Sequence, residues 1–435
     1  MTNALSGRPL GCFERAQLLT AEAAAYNAVV VLRLEPLPSP SALTSALQEV
    51  QARHPLLRAA IDRRKGTPWF APSSHPIPLE VQIRRSDDDW LDTVERELAR
   101  GFDRAQGPLL RASCLVPPEG TTGELLLTFE HTVIDGVSVV QVVREILHRC
   151  AAVALGRTPT SEAPRPLLPP ADRLFPPSFC GWRKWAGLVR IGLTQIVQEL
   201  AWQVGTPRAL RPGLHTTGTP RVCCTSLEPE ATEALVRACR AHRVTLSSAL
   251  AAATMLAVRR RLRPGEVGLT LRHFLFQDLR ARLDPRPAAE DVGSYFAMLR
   301  VSQRVEPRTQ PWTLAGRLND QIRRVARSGV GFASLLLSLG TMWALLGSRR
   351  ARMGDTALSY LFPGAVAEEH GPIRTLEVHA FASNFVIGPE YTAQARLFAG
   401  RLWWDTVYLD SDMDEARALE VWREIEHILT ETGAA

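Results

Sequence analysis

The chain has 435 residues, of which 46% are hydrophobic and 22% charged. That is enough to bury a sizeable core without disulfides or metal, and it argues against wholesale disorder and against a polytopic membrane protein. Lysine and arginine exceed aspartate and glutamate by 51 to 45, a net charge of +6. The basic runs at 63–65 and 259–261 are short and carry no interleaved aromatics, so no nucleic-acid partner is expected. The mild surplus suits anionic partners.

In the N-terminal third short strands alternate with helices. Residues 26–34 (YNAVVVLRL) read as a buried strand rich in β-branched residues. Ser39 caps the next helix and Pro40 takes its first position. Leu43, Leu47 and Val50 share one face of it, and it ends near His54-Pro55 because proline disfavours helix at the residue before it. A strand is predicted at 79–85. A helix follows from Asp87 to about 101, its first acidic residues complementing the dipole. Strands at 109–116 and 124–131 and a helix at 137–154 complete this part.

Residues 156–177 hold seven prolines and form the clearest linker. Beyond it the pattern predicts helices at 179–203, 230–242, 246–262, 312–327 and 331–348, and a last one from about 413. Strands are predicted at 221–228, 266–275, 294–303, 355–361, 374–381, 393–399 and 401–409. The expected organisation is an N-terminal subdomain at 1–165, the linker at 156–177 and a C-terminal subdomain at 178–435, both α/β.

The seven cysteines are odd in number and form no CxxC pair, and the N-terminus lacks the charged start and apolar core of a signal peptide. Free thiols in a reducing cytoplasm are the expectation. HExxH, zinc-spaced Cys/His clusters, GxxxxGK[ST] and GxSxG are all absent, so no metal site is expected. Metalloprotease, P-loop nucleotidase and nucleophile-elbow hydrolase are set aside.

The segment that carries chemistry is ELLLTFEHTVIDGVSVVQVVREIL, residues 124–147. On a strand Leu125, Leu127, Phe129 and His131 face one side, and Thr128 and Glu130 the other. His131 therefore closes a buried strand, and Asp135-Gly136 is expected to make a tight turn that uses glycine's backbone freedom. An imidazole there can accept a proton from a hydroxyl or amine near neutral pH.

HTVIDG resembles the HHxxxDG motif of the condensation-domain and coenzyme A-dependent acyltransferase superfamily, and further pieces follow in the family's order. These are LTSALQEVQARHPLLRAAID at 43–62, Asp278-Leu279-Arg280 followed by VGSYFAMLR at 292–300, and Ser359-Tyr360 where relatives often carry Ser-Asn. The resemblance implies two chloramphenicol-acetyltransferase-like subdomains arranged in a V around a central tunnel. It implies His131 as general base, Asp135 as a loop-shaping carboxylate paired with Arg280 or Arg58, and Gly136 as the motif glycine. Glu130 stands where the family has its first histidine; it faces away from His131 and counts as structural support. Ser359, Tyr360 and Asn384 are candidates for the substrate tunnel, although core packing or a loop is the favoured account of His379 and Asn384.

The implied activity is direct acyl transfer from a thioester to a hydroxyl or amine, in lipid or natural-product biosynthesis, with ester formation favoured. No cofactor is held permanently. Coenzyme A or a phosphopantetheine arm brings the acyl group, an acyl carrier protein is a candidate partner, and the acceptor is a small molecule or lipid. The competing reading is a non-catalytic, carrier-binding or scaffolding protein, kept open by Glu130.

Two apolar stretches raise a membrane question. Residues 328–348 carry no charge, long enough to span but broken by four glycines and five Ser/Thr, so a buried or interfacial helix is expected. Trp182, Trp185, Val189, Leu193, Ile196 and Leu200 form a helical stripe beside Arg183, Lys184 and Arg190, consistent with core packing or with peripheral membrane contact. Together they suggest a long or lipid-like substrate. Gly329-Val330-Gly331 follows a helix, so it is no dinucleotide loop, and Cys223-Cys224 is expected to be structural.

Overall fold

The computed structural model describes residues 7–63, 66–158, 162–182, 185–189, 191–193, 218–266, 268–347, 352–361, 366–385 and 387–434. The chain divides into two units. The first comprises Met1–Phe175, Arg280–Phe296 and Pro363–Ser383; the second comprises Pro176–Leu279, Ala297–Phe362 and Asn384–Ala435.

The first unit is built on a six-stranded sheet. Its order is Glu369–His370, Ile373–Ala382, Asn27–Glu35, Gly123–Glu130, Leu110–Val116 and Leu79–Ile83. The strand Gly123–Glu130 lies in the interior of this sheet and is buried at every position, which explains why its sequence reads as a nearly continuous apolar run. The helix Pro40–Arg53 forms as read: the Ser39 hydroxyl accepts the Ala42 N–H at 3.3 Å, and Leu43, Leu47 and Val50 are buried. It packs on the helix Gly136–Ala154. His54, of the RHPLLR segment, is fully buried at this junction, with Nε2 3.1 Å from both oxygens of Glu145.

Two segments correct the division by chain order. The strand Ile373–Ala382 was assigned to the C-terminal subdomain, yet it pairs antiparallel with Asn27–Glu35, Val378 opposite Leu32. Residues Arg280–Phe296 likewise belong to the first unit. Nothing in a strand's own residues marks which sheet it will join, so chain order misplaced both. The proline-rich stretch is strapped onto the first unit: Arg165 pairs with Asp291 at 2.7 Å, and the Asp172 carboxylate accepts the Cys12 N–H at 3.2 Å.

The second unit repeats the plan. Its sheet runs Phe296–Arg304, Thr270–Asp278, Thr356–Leu361, Tyr391–Phe398, Arg401–Leu409 and Pro220–Leu227. The helix Leu246–Arg261 is buried almost throughout, as its alanine-rich sequence without a polar face requires. It shares the core with Leu235, Trp404, Trp422 and Ile425. The helices expected at 312–327 and 331–348 are Pro311–Arg327 and Val330–Gly347. Most of the helix expected at 179–203 lies outside the described residues.

Candidate active site

The strand carrying the motif ends at Glu130, and His131 opens the turn that follows it. The His131 ring stacks on Tyr26, centroids 4.9 Å apart and planes 13° from parallel, and is flanked by Phe296 at 5.6 Å. Its backbone is held on both sides: its N–H donates to the Tyr26 carbonyl at 2.9 Å, and its carbonyl accepts the Gln17 amide at 2.9 Å. The Gln17 carbonyl oxygen in turn accepts the Ser294 hydroxyl at 3.1 Å. His131 Nδ1 is buried without a well-formed hydrogen bond. Burial pulls the imidazole below its ordinary 6.5, while the carbonyls of His131 and Ile134 and the Asp135 charge oppose that pull. A half-buried imidazole kept neutral in this way is available as a proton acceptor across more of the pH range.

Asp135 is the N-cap of the helix Gly136–Ala154, with extended backbone, and its Oδ1 accepts the Ser138 N–H at 2.9 Å. Arg280 donates to both carboxylate oxygens, at 2.8 and 3.0 Å, and the Tyr295 N–H donates to Oδ2 at 2.8 Å. Arg280 also donates to the Ser138 hydroxyl at 2.7 Å and lies 4.9 Å over the Tyr295 ring. That hydroxyl donates to the Gly293 carbonyl and accepts the Gly293 N–H, both at 3.1 Å. The buried carboxylate is thus paired and saturated, which is what makes its burial tolerable.

Arg58 ends the turn Pro55–Arg58, and among the described residues it makes no ion pair with Asp135. Gly136 is the exposed first residue of a helix, so backbone freedom is not what the structure uses there. The glycine the site does require is Gly293: a Cβ there would lie 2.4 Å from Tyr295 Cε2.

Glu130 is the last residue of the strand. It is fully buried, ion-paired to Arg104 at 2.7 Å, and accepts the Thr132 hydroxyl at 2.8 Å. Burial nevertheless raises its pKa, Arg104 and Thr132 compensating only in part.

The remaining candidates lie in the second unit. Ser359 and Tyr360 are neighbours on the strand Thr356–Leu361 and so face opposite sides. Tyr360 packs onto the core, where burial pushes its hydroxyl up to about 12. Asn384 closes its own loop, donating to the Pro389 carbonyl at 3.1 Å and accepting the Phe385 N–H at 3.0 Å. His379, in the first unit, is buried against Trp90 with centroids 4.6 Å apart. None of the seven cysteines is in a disulfide; burial pushes Cys114, Cys223 and Cys239 up to about 11 and Cys150 up to about 12, so these four are poor nucleophiles. Gly329 and Gly331 admit close packing, since Cβ atoms there would approach Phe179 at 2.7 Å and Leu279 at 3.3 Å.

Gln17, Tyr26, Arg104, Ser138, Gly293 and Tyr295 were not singled out from sequence. Gln17 lies on the helix Cys12–Ala23, which was not anticipated because Gly11 offers no capping side chain. Its signal is Glu14, which reaches back to the Gly11 N–H at 2.8 Å.

Comparison with known proteins bears on the family and the fold. Residues 15–166 match the family model for the condensation domain, and residues 216–358 match that for the phthiocerol/phthiodiolone dimycocerosyl transferase C-terminus. Malpinin synthetase of Mortierella alpina is 32% identical over 173 residues, covering 37% of this chain and 2% of the synthetase. The chain therefore spans only a small fraction of the length of that curated relative. Trichothecene 15-O-acetyltransferase of Fusarium sporotrichioides shares the fold, with a TM-score of 0.75 and 14% identity over 97% of this chain and 94% of that one. Polyketide synthase associated protein 5 of Mycobacterium tuberculosis does so with a TM-score of 0.69 and 16% identity, covering 98% and 99% of the two chains.

Proposed function

The chain belongs to the condensation-domain and coenzyme A-dependent acyltransferase superfamily, and on that premise we propose that it forms esters by direct acyl transfer from a thioester. The observation that carries the proposal is His131 itself. It is an imidazole whose pKa burial pulls below 6.5, clamped by its own backbone and by Tyr26, at the head of a loop whose carboxylate is saturated by Arg280.

In this reaction the acceptor hydroxyl gives its proton to His131 Nε2 while its oxygen bonds to the thioester carbonyl carbon. The resulting intermediate collapses, the carbon–sulfur bond breaks, and the departing sulfur takes the proton back from His131. One ester and one free thiol are produced, and the histidine is regenerated. A general base so placed contributes about 10²–10⁴ in rate. Asp135 touches no reacting atom in this scheme; it shapes the loop through Arg280, Ser138 and Gly293. The carrier of the acyl group is coenzyme A or the phosphopantetheine arm of a carrier protein, and the setting is lipid or natural-product synthesis in a reducing cytoplasm.

Support for the ester comes from a relative described as an O-acetyltransferase and a family model described as a dimycocerosyl transferase. The test is thiol release from acetyl-, octanoyl- and palmitoyl-coenzyme A with an alcohol or an amine as acceptor. Turnover that depends on the alcohol and climbs with chain length is expected, because each buried methylene contributes ~0.8 kcal/mol. Release with amines alone would replace ester by amide. No release from any donor, including acylated carrier protein, would favour the non-catalytic reading.

A further inference from the structure

We propose that the second unit carries an apolar, arginine-rimmed face that docks peripherally on anionic lipid. Trp182, Trp185, Val189 and Leu193 fall at helical spacing, and all four are exposed, the tryptophans by 75% and 68%. The helix Val330–Gly347 is uncharged over 18 residues and apolar enough to cross a membrane, yet only Gly331, Phe332, Ala333 and Leu335, near its start, are buried, and Met342 and Leu345 pack in part against Phe274, Met353 and Ala357. Thr341, Trp343, Ala344 and Gly347 near its end are exposed, Trp343 by 68%.

The two elements share one anchor. Phe179 packs on Phe332 with ring centroids 5.2 Å apart, and it also lies against Gly187 and Gly329. Large apolar side chains exposed together in this way mark a docking surface rather than an ordinary scatter.

Charge and polarity select the occupant. Arg323, Arg324 and Arg327 are exposed near the end of the helix Pro311–Arg327, Arg324 and Arg327 in its last turn, directly before Val330–Gly347. The sequence holds no aspartate or glutamate from 321 to 354 or from 173 to 198. A protein partner needs roughly one hydrogen bond per 100–200 Å², and these exposed apolar positions offer few donors or acceptors. A headgroup layer asks instead for tryptophan at the boundary, aliphatic side chains below it and cations beside anionic phosphate. Anchored in the unit by the buried residues near its start, Val330–Gly347 contacts the bilayer from one side and does not span it.

The test is co-sedimentation of the full chain with vesicles of phosphatidylcholine alone or mixed with phosphatidylglycerol, at low and high salt, with circular dichroism as a check on folding. The proposal expects binding to the anionic vesicles, weakened by salt, with a blue shift of tryptophan emission. The combined variant Trp182→Glu, Trp185→Glu, Trp343→Glu should lose roughly tenfold or more in partitioning while staying folded. Arg323→Glu with Arg324→Glu should lose the preference for phosphatidylglycerol. Absent binding, or binding that the folded tryptophan variant retains, would overturn the proposal. So would a self-associated species that the variant abolishes without any vesicle binding, since the occupant would then be a second copy. Neither result bears on acyl transfer, which is measured separately.

Discussion

Glu130 and Asp135 sit at the two ends of one loop, and each buries a carboxylate, but they are solved differently. Asp135 receives two N–H groups of Arg280 and two backbone N–H groups, and those partners are themselves interlocked through Ser138 and Gly293. Glu130 has one arginine, itself partly exposed, and one hydroxyl, and burial still holds its pKa up. The difference separates a carboxylate on which the loop's shape depends from one that the scaffold accommodates. It also explains how the chain can bury a glutamate beside His131 without disturbing the clamp that holds the imidazole.

The comparison breaks most visibly at Asp135. Asp135→Ala leaves the buried Arg280 unpaired, and about 3–5 kcal/mol of stability should be lost in a denaturant titration, together with turnover. Turnover lost at full stability would mean that Asp135 acts on substrate. Next in size is Gly293→Ala, which drives a methyl into the ring of Tyr295 and should cost about 1–3 kcal/mol. Combining it with Tyr295→Leu should recover part of the loss of melting temperature, whereas an unchanged melting temperature in the single variant would show that the ring yields freely.

The smallest effect is expected at Glu130. Glu130→Gln should stay within about 1–2 kcal/mol of the native chain, since Arg104 keeps its bond to the Ala21 carbonyl. Its pH dependence is more telling than its size. A raised carboxyl holds its proton to higher pH when folded than when unfolded. The stability tied to it is therefore fully present below 4.5 and declines as pH rises through the folded value. Glu130→Gln should flatten that decline, and an equally steep curve in the variant would assign it to another group.

Much of this was legible in the sequence where local chemistry decides. Ser39-Pro40 announced its helix, and the apolar run before His131 announced a buried strand. Arg280 was one of two arginines weighed for Asp135, and only the fold could choose, because both are remote in sequence. What escaped was whatever depends on distant pairing. Chain order placed Ile373–Ala382 in the wrong half, although its residues suit either sheet. Gly293 was quoted within a motif, but its reason for being glycine is a ring two residues on that folds back over it. Gly136 was given a reason that the helix it begins does not need.

The most direct test of the account is the pH–rate profile of thiol release for the native chain and for His131→Ala. The native chain should show an acid limb below the ordinary 6.5 of histidine, because burial disfavours the imidazolium. His131→Ala should lose that limb and at least ~10²-fold in turnover with its melting temperature unchanged. A folded His131→Ala protein that releases thiol at the native rate with the same acid limb would contradict the account.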